Sequence, residues 1–353
     1  MNLLLKYVAT GGLLVAASSC SAQAQSLNVF DDWVLGCDNL RQCVAIGMEP
    51  EGNANGVYLR VLRSGKGAAE LEIKITTYSR GRGPNRLRLG FDDPSLPALG
   101  ELAASSTKAS ESIEVRLPSE GVRLFVNALG KAKTLSVSVV QGSDASQPAV
   151  ISLSGATAAL IAMDKQQKRS GTTTALISPD HEPAARVPAL PALPMVRAGR
   201  PTKRALPTTM PKPIAAAVER ADCDEPPETR PIRAWLNERT LFWGVLCTKG
   251  AYRETYAFFI HRSGAPTARP MKFQMPGLPP SNEDDNLLTG PTFDQRRMTL
   301  DFHDIGRSVG DCGTVGRFVW DGGTFQPVEL RSMPHCRGVS PDAWPVTWRA
   351  GVR

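Results

Sequence analysis

Leu71-Glu72-Ile73-Lys74-Ile75 sets the fold class of this chain. Apolar and charged residues alternate strictly, so in an extended strand the three aliphatic side chains fall on one face and the two charges on the other. Ile113-Glu114-Val115-Arg116-Leu117 and Leu135-Ser136-Val137-Ser138-Val139 repeat the pattern, and Val57 to Arg63 follows it in part. Upstream, Trp33-Val34-Leu35-Gly36-Cys37 and Cys43-Val44-Ala45-Ile46 read as two short strands around a tight loop. Several half-buried strands separated by turn residues predict a sandwich or partly closed barrel. Ala156 to Lys168 lacks proline and glycine, follows Ser154-Gly155, and carries Leu160, Ile161 and Met163, which predicts a closing helix. These elements define an N-terminal β domain over 26–169.

Regularity stops after that. Prolines fall at 179, 183, 188, 191, 194, 201, 207, 211 and 213. Proline fixes φ and removes a backbone donor, so 170–218 is expected to be an extended, mobile linker without a sheet or long helix. A second β-rich domain is expected over 219–353. Arg233 to Glu238 is read as a short helix. Leu241 to Leu246, Tyr252 to His261 and Met298 to His303 are read as strands. Arg317 to Trp320, Asp321-Gly322-Gly323 and Thr324 to Gln326 form an expected hairpin, with Asp-Gly supplying the positive φ of its turn. The expected fold class is therefore mainly β with few helices: two disulfide-bearing sandwich or barrel-like domains joined by a Pro-rich disordered linker.

The N-terminus carries Lys6, an apolar run from about Tyr7 to Ala17, and Ala22-Gln23-Ala24. Positive charge, a short apolar core and an A-x-A site are the marks of a secretory signal peptide over 1–24. The expected location is periplasmic or secreted. Ala17-Ser18-Ser19-Cys20 loosely resembles a lipoprotein box, so a lipid anchor at Cys20 is the alternative. No later stretch is long and apolar enough to span a membrane as a helix.

The mature chain keeps six cysteines, Cys37, Cys43, Cys223, Cys247, Cys312 and Cys336. An even count in an exported chain predicts disulfides rather than free thiols. Spacing favours the local pairs Cys37–Cys43, Cys223–Cys247 and Cys312–Cys336 among the possible connectivities. Zinc sites show ligand pairs such as C-x-x-C or H-x-x-x-H, and neither occurs, so no metal and no cofactor are expected. The formal charge is +7. Loss of Lys6 with the leader leaves +6. Arg186, Arg197, Arg200, Lys203, Arg204 and Lys212 against Asp180 and Glu182 make 170–218 alone +4, so the rest is only +2. Export and the lack of aromatics interleaved with basic residues argue against nucleic acid as a partner.

The most distinctive segments are Gly306-Arg307-Ser308-Val309-Gly310-Asp311-Cys312-Gly313, Trp320-Asp321-Gly322-Gly323-Thr324-Phe325, Cys336, Trp344-Pro345 and Trp348-Arg349. The first half adds Trp33, Cys37-Asp38-Asn39, Cys43, Ala158-Ala159-Leu160, Asp164, Gln167, Gly171-Thr172 and Ala175-Leu176. Together they resemble the bacterial domain-of-unknown-function family 1176 over nearly the whole mature chain. The resemblance implies an exported protein with no assigned activity. More weakly, the first domain resembles invasion-associated locus B proteins, which share a Trp–Cys strand near the start.

Four groups of residues are candidates for chemistry. Gly306-Arg307-Ser308-Val309-Gly310 matches G-x-S-x-G, which makes Ser308, with Asp311 and His335, a candidate hydrolase set; the motif needs a strand before it and a helix after it, and only the strand is expected. Asp301 and His303 share one strand face, with Asp304 beside them, as a conceivable metal or acid–base group. Arg80, Arg82, Arg86 and Arg88 form a basic cluster suited to anionic ligands. Trp320, Trp344 and Trp348 are suited either to a core or to stacking on sugars. No complete catalytic set emerges. The expectation is a non-enzymatic envelope protein that binds an envelope partner or a cell-wall glycan, its two modules free to engage separate sites. The alternative is a serine hydrolase using Ser308.

Overall fold

The computed structural model describes residues 27–53, 55–79, 85–107, 112–278 and 286–353. The expected leader and Cys20 lie outside these residues. The chain is mainly β, with several sheets, none closed, and three helices among the described residues.

The first half is one long, curved sheet. Its strands run in the spatial order Asn28–Phe30, Trp33–Cys37, Cys43–Met48, Tyr58–Arg63, Leu71–Tyr78, Ser112–Arg116, Gly100–Ser106, Asn85–Phe91, Thr134–Gln141. Ala149–Ser152 adds to the last of these. The alternating segments point Ile73, Ile75, Ile113, Val115, Leu135 and Val137 into one core, as their period requires. The indole N–H of Trp33 donates to Ser152 O at 3.0 Å, so the two ends of the sheet approach each other without pairing. Two helices plug the concave side. Helix α1 (Ser119–Leu129) buries Val122, Phe125, Val126 and Leu129, an i, i+3, i+4, i+7 stripe. Helix α2 (Ala156–Gln166) buries Ala159, Leu160 and Met163.

The second half is a sandwich of two five-stranded sheets. One contains Ile232–Trp235, Thr240–Lys249, Glu254–Arg262 and Arg269–Pro270, with Leu287–Thr289 beside the third. The other contains Thr292–Asp294, Thr299–Ile305, Gly313–Trp320, Phe325–Met333 and Val346–Arg349. Aromatic rings fill the space between them. Phe242 and Phe258 stack at 5.0 Å, Phe273 meets Phe318 at 5.2 Å, and Trp320 meets Phe325 at 5.4 Å. The expected helix over Arg233 to Glu238 is instead the strand Ile232–Trp235, because its residues pair with Leu241–Gly244 of the next strand. Hairpin pairing there outweighs a weak local helical preference.

The expected free linker is a docked strap. Prolines do keep 170–218 nearly free of regular structure, apart from a 3₁₀ turn, the two-residue strand Met195–Val196 and helix α3 (Lys212–Glu219). A proline-rich chain still offers carbonyl oxygens, and other side chains use them. Arg41 donates to Pro188 O at 2.6 Å, and Trp235 Nε1 to Ala205 O at 2.9 Å. Met195–Val196 pairs in parallel with Gly351–Val352 at the chain's end. Arg204 lies 3.7 Å over the Trp235 ring, and α3 sets Ile214, Ala217 and Val218 against Trp243 and Phe259.

Arg169 anchors the start of the strap. It is fully buried and donates to Gly67 O, Thr174 Oγ1, Gln167 Oε1 and the carbonyls of Ser64 and Lys66. Burial, with Arg63 close by, lowers its pKa to about 10, so it stays charged at neutral pH.

The halves are not separate modules. Val34, Ile46, Met48 and Tyr58 of the first half share a core with Met333, Val339, Ala343 and Trp344 of the second. This explains why Trp33–Cys37 is buried throughout: odd positions face the first core and even ones face the second half. Pro345 presses so close to Gly36 that a Cβ there would sit 2.3 Å from it.

Candidate functional site

The G-x-S-x-G segment is a tight turn between Thr299–Ile305 and Gly313–Trp320, so a strand follows it and no helix does. Gly306 N–H donates to Cys312 O and Gly310 N–H to Arg307 O. A side chain at Gly306 would strike Cys312 Sγ at 2.7 Å, and Gly310 has φ +67°, so packing and turn geometry account for both glycines. Ser308 is exposed on this turn. Asp311 is taken up elsewhere: it accepts Arg307 Nε at 2.7 Å, Arg307 Nη2, and Gly338 N–H at 2.6 Å. Burial pushes its carboxyl up, but these bonds and the Arg307 charge outweigh that and hold it below the usual carboxylate range. The Nε2 of His335 is buried without a partner. No hydrogen bond joins Ser308, His335 and Asp311, so the hydrolase set is not assembled.

Asp311 also lies close to Cys312 and Cys336, the one group of three potential metal ligands among the described residues. Both sulfurs are in the Cys312–Cys336 bridge, which leaves no thiolate for an ion. The other bridges are Cys37–Cys43 and Cys223–Cys247, with Cα separations of 4.1 and 4.3 Å.

The remaining sequence candidates disperse. Asp301 is gripped by Arg317 at 2.6 and 3.1 Å, and Asp304 by Arg253 at 2.6 Å, which leaves the exposed His303 alone. Arg80 and Arg82 lie outside the described residues. Arg86 and Arg88 share Glu101 on the neighbouring strand, so that pair is partly neutralised. Trp320 and Trp344 are buried, and Trp344 and Trp348 donate to Val339 O and Pro327 O, so they serve the core.

Among the described residues two grooves are lined by charged side chains, and their charges distinguish them. One, of about 500 Å³, lies where the halves meet and is lined by Arg60, Glu72, Arg331, Asp342, Trp344 and Arg349 among others. Its cations are used internally: Arg60 pairs with Glu114, Arg331 with Glu329, and Arg349 with Asp38. The other, of about 460 Å³, opens at one end of the sandwich and is lined by Thr240, Arg262, Thr267, Arg269, Trp320 and the Gly322-Gly323 turn, with Ile260 and Ala265. Arg262 and Arg269 are exposed and have no ion-pair partner among the described residues. No acidic side chain lines this groove. Sequence reading missed it because its walls come from separate strands; Arg262 and Arg269 flanking the Gly264-Ala265-Pro266 turn were the available signal.

The model of the protein of unknown function family DUF1176 matches residues 27–351. The chain belongs to the DUF1176 family. It is 28% identical over 347 residues to the uncharacterized protein YpfG of Escherichia coli (strain K12), covering 92% of this chain and 93% of that one. These matches do not extend to invasion-associated locus B proteins. No solved structure matches.

Two of the segments that carry the resemblance, Cys37-Asp38-Asn39 and Gly310–Gly313, prove to be fasteners. In Cys37-Asp38-Asn39, the side chain of Asn39 exchanges two hydrogen bonds with the backbone of Arg349, at 2.9 and 2.8 Å. Asp38 accepts Arg349 Nε and also the N–H groups of Leu40 and Gln42. In the Gly310–Gly313 segment, Asp311 holds Gly338, whose neighbour Arg337 donates to Asp32 and to Glu49 O in the first half. Gly338 touches Gly56 so closely that a Cβ would come within 2.5 Å of its Cα. Both segments therefore join the halves.

Proposed function

We propose that this protein is an exported, non-enzymatic binding protein of the periplasm or cell surface, and that it engages an envelope partner or cell-wall component. The observation that carries the reading is the groove at the sandwich end. Arg262 and Arg269 there have no internal partner, whereas the junction cations are paired. Unpaired, exposed guanidiniums in a concave site are free to recognise something outside the chain. The location is supported by the leader-like N-terminus and by six cysteines closed in three bridges, which form and persist in oxidising compartments.

Fractionation of cells producing the full chain, followed by sedimentation of the purified oxidised protein with insoluble cell-wall polymer, tests this reading. The expected result is a shortened, bridged protein in the periplasmic or surface fraction that co-sediments with the polymer. Retention in the cytoplasm with free thiols, or failure to bind any envelope fraction, would contradict it.

A further inference from the structure

The groove's chemistry narrows what it can hold. Ile260 lies opposite Arg269 and Thr240 opposite Arg262 in the antiparallel register. Residues directly opposite share a face, and so do residues two apart on one strand. Thr240, Ile260, Arg262 and Arg269 therefore project from one face, at the edge of the aromatic core. Trp320 closes the groove from the opposing sheet, followed by the Gly322-Gly323 turn.

The polar side chains on this surface are two guanidiniums, two hydroxyls and one indole. Guanidinium is a donor only, and its planar fork matches the two oxygens of a carboxylate or phosphate. Asp321, the carboxylate nearest in sequence to the wall, accepts Gly323 N–H, Thr324 N–H and Gln326 Nε2, and so is spent on the turn. The indole N–H of Trp320 is buried and finds no acceptor in the protein. A volume of about 460 Å³ is in the range of small-ligand sites and matches one or two sugar rings rather than a protein surface.

We infer that this groove binds the oxyanion group, carboxylate or phosphate, of an acidic sugar, with Arg262 and Arg269 clasping the anion and the ring resting on a floor of Ile260 over the buried Trp320. The inference rests on the binding role proposed above and names the ligand chemistry of that site.

Titration of the full oxidised protein with glucuronate, glucose 6-phosphate and glucose, followed by the Trp320 indole N–H resonance in NMR, tests it. At least one anionic sugar is expected to shift that resonance saturably, with glucose causing little change; the stronger of the two identifies carboxylate or phosphate as the source. In the double variant Arg262→Gln/Arg269→Gln the Kd is expected to rise about tenfold or more. Both arginines are exposed and unpaired, so the variant should keep its fold, which circular dichroism verifies. Glucose binding as well as the anions, an unchanged Kd in the variant, or no response to any of the three would overturn the inference. If the wild type still co-sediments with envelope polymer in that case, the binding role stands and only the assigned site and ligand fall.

Discussion

Arg349 Nε donates to the carboxylate of Asp38 at 2.6 Å across 311 positions of sequence, and the Asp38 side chain is closed to water. The bond ties the first disulfide loop to the short strand Val346–Arg349. With the shared core around Trp344, it makes the two halves a single packed body rather than two modules on a tether.

Asp38→Ala should therefore be costly. It leaves the Leu40 and Gln42 N–H groups and the Arg349 guanidinium without their acceptor, a loss of about 2–4 kcal/mol. Arg349→Ala should cost less, about 1–2 kcal/mol, because Asp38 keeps its backbone donors and Arg349 is already partly exposed. Urea unfolding of both variants measures the difference, and equal costs would mean that the buried carboxylate is not the dominant partner.

The strap should detach when its anchor is removed. Arg169→Ala deletes bonds to Gly67, Thr174, Gln167 and neighbouring carbonyls at once. Limited trypsin digestion is expected to cleave first after Arg186 or Arg197 in this variant, and much more slowly there in the wild type. Arg169→Lys should behave closer to Ala than to the wild type, since a point charge cannot reproduce the fork.

Acid should weaken the fold in two steps. Burial, reinforced by Arg337 and opposed by Asp32 and Glu51, lowers the His335 pKa below its ordinary value. The unfolded chain thus takes up a proton there before the folded one does. Stability is full above about pH 6.5 and falls as pH drops from there through the folded pKa. Asp311, held low by Arg307 and Gly338 against its burial, adds a second loss as pH falls below the ordinary carboxylate value. Thermal melts from pH 8 to 3 should show both, and His335→Gln should flatten the upper step alone.

Much of this fold was legible in the sequence, and the exceptions have physical reasons. Leu71–Ile75, Ile113–Leu117 and Leu135–Val139 declared themselves because one face is buried and the other wet. Trp33–Cys37 and Leu241–Leu246 show no such alternation because both of their faces are covered, the second by Phe242 and Leu246 inward and Trp243 and Val245 under α3. Helix α1 is hard to read from sequence, because Pro118 and Gly121 suggest a turn although Val122, Phe125, Val126 and Leu129 carry the helical spacing. Proline content says nothing about the carbonyls of the strap that Arg41 and Trp235 bind from elsewhere, nor about the short strand Met195–Val196 and helix α3 within it. The site was the least legible part: the segment that looked catalytic is a tight turn whose Asp311 holds Gly338 at the junction of the halves, while Arg262 and Arg269 belong to no motif.

Ser308→Ala should leave both stability and binding unchanged, within about 0.5 kcal/mol for the former. The side chain is exposed, and neither Asp311 nor His335 reaches it. Wild-type turnover of simple esters that this substitution abolishes would require a different account of the turn.

Hydrogen exchange of the full oxidised chain, with and without saturating acidic sugar, tests the binding account most directly. Slower exchange should be confined to the segments around Arg262 and Arg269 and to the Asp321–Thr324 turn. Protection centred on Gly306–Gly310 or on the groove between the halves, or no protection anywhere, would contradict it.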